Sequence, residues 1–127
     1  MDTADHLRDA NPWKAEKDPK KLAILGKLAE ELGELQAVVC RCIIQGADEV
    51  HPVTGKPNLE WLWEEMVDVA NMMDFVYRTW EADWDAIIRR RAKKHKMIEQ
   101  WLASFDEPLV KAVEWPNCGC RGQCRDC

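Results

Sequence analysis

Residues 19–45 read PKKLAILGKLAEELGELQAVVCRCIIQ, and the spacing of the apolar side chains in this stretch decides the fold class. Leu22, Leu25, Leu28, Ala29, Leu32, Leu35 and Val39 recur at the helical interval that gathers side chains on one face. Gly46 stands where such a helix would stop. The same period returns over 59–79, with Trp61, Leu62, Val69, Met72, Met73, Phe75 and Val76. It returns again over 84–105, with Trp84, Ile87, Ile88, Ile98, Trp101, Leu102 and Phe105. Between the first two segments, the polar stretch 46–58 carries Gly46, Pro52, Gly55 and Pro57 and reads as a loop, with Asn58 as the expected N-cap of the second helix. A break at 81–83 precedes the third. No stretch shows useful strand-like alternation. Three amphipathic helices predict an all-α helical bundle, and because three helices enclose only a thin core, oligomerisation is expected to complete it.

Working outward, residues 1–19 form a polar arm containing Asn11-Pro12-Trp13, while Pro108 and Pro116 mark the exit into a cysteine-rich tail. The chain of 127 residues has room for one domain. The expected division is a helical catalytic domain over 1–107 and a tail over 108–127. With 32% charged and 46% apolar residues the composition is that of a folded protein. No apolar run approaches the ~20 residues of a membrane helix, and the polar start is unlike a signal peptide, so a soluble cytoplasmic protein with no membrane partner is expected. A net charge of −5 disfavours general attraction to nucleic acid, which leaves phosphate binding to a metal or a local basic patch. Four of the six cysteines, Cys118, Cys120, Cys124 and Cys127, crowd into the last ten residues. They offer the four thiols of a structural Zn²⁺ site, set against an unliganded or oxidation-prone tail.

Function enters where acids occupy positions the core should own. At about 100° per residue, Glu31 falls inside the apolar arc of the first helix, between Val38 and Ile24, with Glu34 and Lys27 along the edge and Glu30 further out. On the second helix Glu65 projects between Met72 and Val76, and Asp68 between Phe75 and Trp61. An ionised carboxylate in an apolar setting must be paired, protonated or bound to metal. Each pair is spaced i, i+3, so two facing pairs gather several hard oxygens in one volume, a set suited to Mg²⁺ or Mn²⁺. No histidine follows at the Glu-x-x-His spacing of di-iron bundles. The competing reading is a set of buried salt bridges to Lys27, Arg91 or their neighbours.

Glu30-Glu31-Leu32-Gly33-Glu34 matches an E-E-x-x-E element and Glu65-Met66-Val67-Asp68 an E-x-x-D element, and in this order and context they resemble the MazG-like all-α nucleoside triphosphate pyrophosphohydrolases over roughly residues 20–100. The resemblance implies hydrolysis of a (d)NTP to the monophosphate and diphosphate. It also implies Mg²⁺ on Glu31, Glu34, Glu65 and Asp68, with Glu30 as an outer or alternate ligand, and assembly into dimers or tetramers. The 46–58 insert is closer to phage-type members and leaves the preferred base and sugar open. The chemistry suits the acids on its own terms: carboxylate-held metal neutralises a triphosphate and acidifies a water that attacks the α-phosphorus.

The third helix carries Arg89-Arg90-Arg91-Ala92-Lys93-Lys94-His95-Lys96. Arg91 and His95 fall on its apolar stripe and are expected to point inward, so Arg91, Lys94 and His95, with Lys27 and Asn71, are the candidates for substrate contacts; Arg91 pairing with a core carboxylate is the other reading. Trp61 or Trp63 is positioned to stack on a base. The alternative function is a non-enzymatic nucleic-acid-binding or adaptor module using the basic helix and the tail. The inward acids argue against it.

Overall fold

The computed structural model describes residues 12–105, all-helical apart from loops and one isolated bridge between Val50 and Pro57. The helices are α1, Pro19–Gln45; α2, Asn58–Thr79; and α3, Trp84–Leu102. The four tail cysteines proposed for zinc and the boundary at 107 lie outside the described residues. The chain divides into two units, Met1–Ala82 and Asp83–Cys127. The first holds α1 and α2; the second holds α3.

Local chemistry sets the helix ends. Asp18 caps α1, its Oδ1 accepting from the Lys21 amide at 2.8 Å, and Pro19 supplies a fixed φ with no amide to satisfy. Gly46, at φ 104, closes the helix with its amide donating to the Cys42 carbonyl. Asp83 caps α3 in the same manner through the Ala86 amide. The third helix ends at Leu102, three residues short of the expected Phe105.

The expectation for Asn58 is overturned. The N-cap of α2 is Pro57, which has no capping side chain, and Asn58 is already helical and fully buried. Its Nδ2 donates to the Gly46 carbonyl at 2.9 Å, so it ties the start of α2 to the end of α1 instead of capping its own helix. The bond exists because a polar side chain enclosed at this junction must find a partner.

Helix α2 ends in a Schellman arrangement. Ala82 N–H donates to the Tyr77 carbonyl and Glu81 N–H to that of Arg78, with Glu81 at φ 48 in the position where glycine is usual. A side chain in the left-handed region is strained by about 1–2 kcal/mol. Part of that gain is lost to the freer unfolded chain when glycine replaces it. Glu81→Gly is therefore expected to stabilise the protein by about 0.5–1 kcal/mol in denaturant unfolding, and a loss of stability would show that Glu81 makes a contact worth more than its strain.

Helices α1 and α2 pack as an antiparallel hairpin. Lys21 lies over Trp80, Glu31 meets Glu65 and Asp68, and Arg41 lies over Trp61, so positions that rise along α1 fall along α2. Among the described residues the buried apolar side chains are Val38 and Val69. Leu22, Leu25, Leu32 and Val39 of α1 and Met66, Met73 and Phe75 of α2 stay exposed. The arcs are thus as periodic as the sequence implies, but this hairpin covers only part of them.

Candidate metal centre

The hairpin brings together acids from both helices. One carboxylate oxygen each from Glu31, Glu65 and Asp68 lies within 4.8 Å of the others. Glu31 is buried at 6% exposure, Glu65 is half-buried, and Asp68 stands exposed at the rim. Helical period explains the set: Glu65 and Asp68 are one turn apart on α2 and face the turn of α1 that carries Glu31.

Cations do not balance these charges. Lys27 Nζ lies 2.7 Å from Glu31 and 3.2 Å from Glu30, and its ammonium is held well above the usual lysine range by those carboxylates, Glu31 foremost. Lys27 thus serves an acid of the cluster, which is the ion-pair reading for Glu31. Glu34, Glu65 and Asp68 have no cationic partner among the described residues. Glu65 Oε2 is enclosed and has no hydrogen-bond partner. An acceptor left so costs about 1–3 kcal/mol, more when charged, unless something electropositive reaches it. A hard divalent cation fits this donor set of buried, half-buried and rim carboxylates.

Glu34 is exposed, outside the three-oxygen cluster but within its field. Its carboxyl is held above the ordinary range, first by the charge of Glu31, then by desolvation and the charges of Glu65 and Glu30. The raised value means that the folded chain binds this proton more tightly than the unfolded chain. Its contribution to stability is therefore present at low pH and lost as pH rises from the ordinary carboxylate value through the raised one. Melting in EDTA across that window should fall with pH in the parent, and Glu34→Gln should flatten the slope. An unchanged slope in the variant would assign the effect to other acids.

Other expected residues are placed less uniformly. Asn71 is exposed one turn beyond Asp68. Arg91, Lys94 and His95 belong to the second unit, where all three are exposed, which for Arg91 and His95 is contrary to the inward direction inferred from the stripe; His95 Nε2 lies 3.0 Å from Glu99 one turn on. A helical stripe specifies only which side chains share a face. Whether that face is buried depends on what packs there.

The tryptophans also separate. Trp61 is occupied, with Arg41 4.2 Å and Lys56 5.3 Å from its ring centre and the His51 ring tilted against it at 5.3 Å. Trp63 is 61% exposed and lines an open cleft of about 460 Å³ with Glu60, Glu64, Val67 and Asp68. Sequence reasoning passed over Arg41 and Lys56. The signal for Arg41 was available, since it lies two turns beyond Glu34 on the edge of the same arc; Lys56 sits in a loop and had none. Protein-family models, curated proteins and solved structures contain no match to this chain.

Proposed function

We propose that the protein is a Mg²⁺- or Mn²⁺-dependent nucleoside triphosphate pyrophosphohydrolase of the cytoplasm, converting a (d)NTP and water to the (d)NMP and diphosphate. The observation that carries the reading is the meeting of Glu31, Glu65 and Asp68 across two helices, with an enclosed Glu65 oxygen that has no hydrogen-bond partner among the described residues. The E-E-x-x-E and E-x-x-D elements supply the same residues. Glu31, Glu65 and Asp68 would hold the cation, with Glu34 at the edge and Glu30 further out. When bound, the cation would offset triphosphate charge and acidify a water.

The chain's own residues do the rest. Lys27 pairs with Glu31 at 2.7 Å at the closed end of the cluster. Asp68 belongs both to the acid cluster and to the cleft beneath Trp63, so a nucleoside stacked on that indole would lie beside the acids. Water oxygen joins the α-phosphorus, the bond from that phosphorus to the bridging oxygen breaks, and diphosphate leaves with the electron pair. The released proton passes to solvent. No covalent nucleophile is required.

The direct test is a panel of eight (d)NTPs assayed for diphosphate release with Mg²⁺ and with EDTA. Metal-dependent release from at least one supports the proposal; none with any nucleotide removes it. The adaptor reading has one observation in its favour, the exposure of the basic run 89–96. It requires the protein to be stabilised by an oligonucleotide and indifferent to Mg²⁺ with a non-hydrolysable nucleotide.

Assembly is part of this proposal. A hairpin with two buried apolar side chains and a face of exposed leucines, methionines and Phe75 has little core of its own, and patches of this kind mark interfaces. The protein is expected to be a homodimer or homotetramer at micromolar concentration in light scattering. A stable monomer there would show that the face is covered within one chain.

A further inference from the structure

Further along the hairpin from the acids lies a cationic cluster that the metal site does not use. Arg41 sits two turns past Glu34 on α1, and Trp61 one turn before Glu65 on α2, about 10 Å and 6 Å along the respective helices. Between them the loop 46–57 is built to deliver a second cation. His51 N–H donates to the Lys56 carbonyl, Gly55 N–H to that of His51, and Val50 pairs with Pro57. His51 Nδ1 accepts from the Val53 and Thr54 amides at 3.2 Å, which pins the loop tip beside the indole. Lys56 Nζ is thereby held near Trp61, tethered by Glu64.

The electrostatics of this cluster are unfinished. Arg41 is half-buried, has no carboxylate partner among the described residues, and leans on the face of Trp61 alone. Its Nη1 is enclosed without an acceptor. A guanidinium nitrogen enclosed without an acceptor is the counterpart of the Glu65 oxygen without a donor: each calls for a group of opposite charge. A planar fork of donors beside an ammonium suits a phosphate oxyanion.

We propose that Arg41 and Lys56, gathered around Trp61, form the subsite for the β,γ-diphosphate end of the nucleotide, the part released as diphosphate. This rests on the pyrophosphohydrolase reading of the acid cluster. It sets the α-phosphate at the carboxylates and the terminal phosphates toward Arg41. Arg41 and Lys56 are then substrate contacts beside the candidates Arg91 and Lys94 that the sequence offered.

The test needs neither metal nor turnover. Inorganic pyrophosphate is titrated calorimetrically into the full chain in EDTA, alongside a nucleoside monophosphate. The parent should bind pyrophosphate. Arg41→Met should weaken it by about tenfold or more and Lys56→Met by a smaller factor, with monophosphate affinity changed less than about twofold. Glu64→Gln, which releases Lys56, should bind pyrophosphate at least as tightly as the parent. If Arg41→Met fails to fold, the Lys56 and Glu64 variants decide the question alone. No pyrophosphate binding by the parent, equal binding by the variants, or a parallel loss for the monophosphate overturns the subsite. Pyrophosphate binding that depends on Arg41, in a protein that hydrolyses no nucleotide, would keep the anion site and reject the enzymatic reading.

Discussion

Glu65→Gln and Asp68→Asn, made singly, are expected to lower nucleotide hydrolysis by about two orders of magnitude or more, the scale on which loss of one electrostatic contributor acts. In EDTA they are expected to melt at or above the parental temperature. The two effects have one cause. Glu31, Glu65 and Asp68 crowd their oxygens within 4.8 Å, and among the described residues only Glu31 has a cation beside it. Without metal the acids repel one another, so neutralising one relieves the folded state; with metal the same change removes a ligand. The variants should also lose the stabilisation that Mg²⁺ gives the parent. Glu30→Gln is the control, because Glu30 is exposed and shares Lys27 outside the cluster. If Glu65→Gln melts several degrees lower in EDTA and hydrolyses every nucleotide at the parental rate, the acids buttress the hairpin and the metal-site proposal fails.

Val69→Asp is expected to abolish the folded state. Val69 is 7% exposed and, with Val38, is one of the two apolar side chains buried in α1 and α2 among the described residues. Val69 also follows Asp68 directly, beside a cluster already rich in negative charge. A further carboxylate would be desolvated without a cationic partner, at a cost of several kcal/mol. That is comparable to the ~5–15 kcal/mol that holds a domain of this size together. Circular dichroism should show loss of helix, and activity should vanish with it. Val69→Ala, which removes two methyl groups, should cost about 1.5–3 kcal/mol and leave the chain folded. A Val69→Asp protein with parental helicity and melting temperature would show that the core lies elsewhere.

Pairing these variants separates two roles for neighbouring positions. Asp68 and Val69 are adjacent on α2, yet one change should remove catalysis with the fold intact and the other should remove the fold. Side chains one residue apart on a helix point about 100° apart, so adjacent positions meet different surroundings. Here one meets the rim of the acid cluster and the other the hairpin contact.

Much of this protein is written in short-range chemistry. The three helices follow from apolar residues at helical period, and their ends from groups that act on their immediate neighbours: Asp18 and Pro19, Gly46, Asp83. Glu31 was legible as an acid out of place because an apolar arc is a property of one helix read alone, and the same held for half-buried Glu65, whereas Asp68, read inward from the same arc, stands exposed at the rim. What only the tertiary structure decided is which groups meet. Register between α1 and α2 puts Glu31, Glu65 and Asp68 together and leaves Glu34 outside that set, at its edge and within reach of its charge. The junction of the hairpin turns Asn58 from an expected cap into a buried tie to Gly46. The loop lays Lys56 and His51 against Trp61, and the hairpin lays Arg41 there. Helical period assigns a side chain to a face from one segment's own residues, whereas a contact depends on two segments at once, on their offset and on the path of the chain between them.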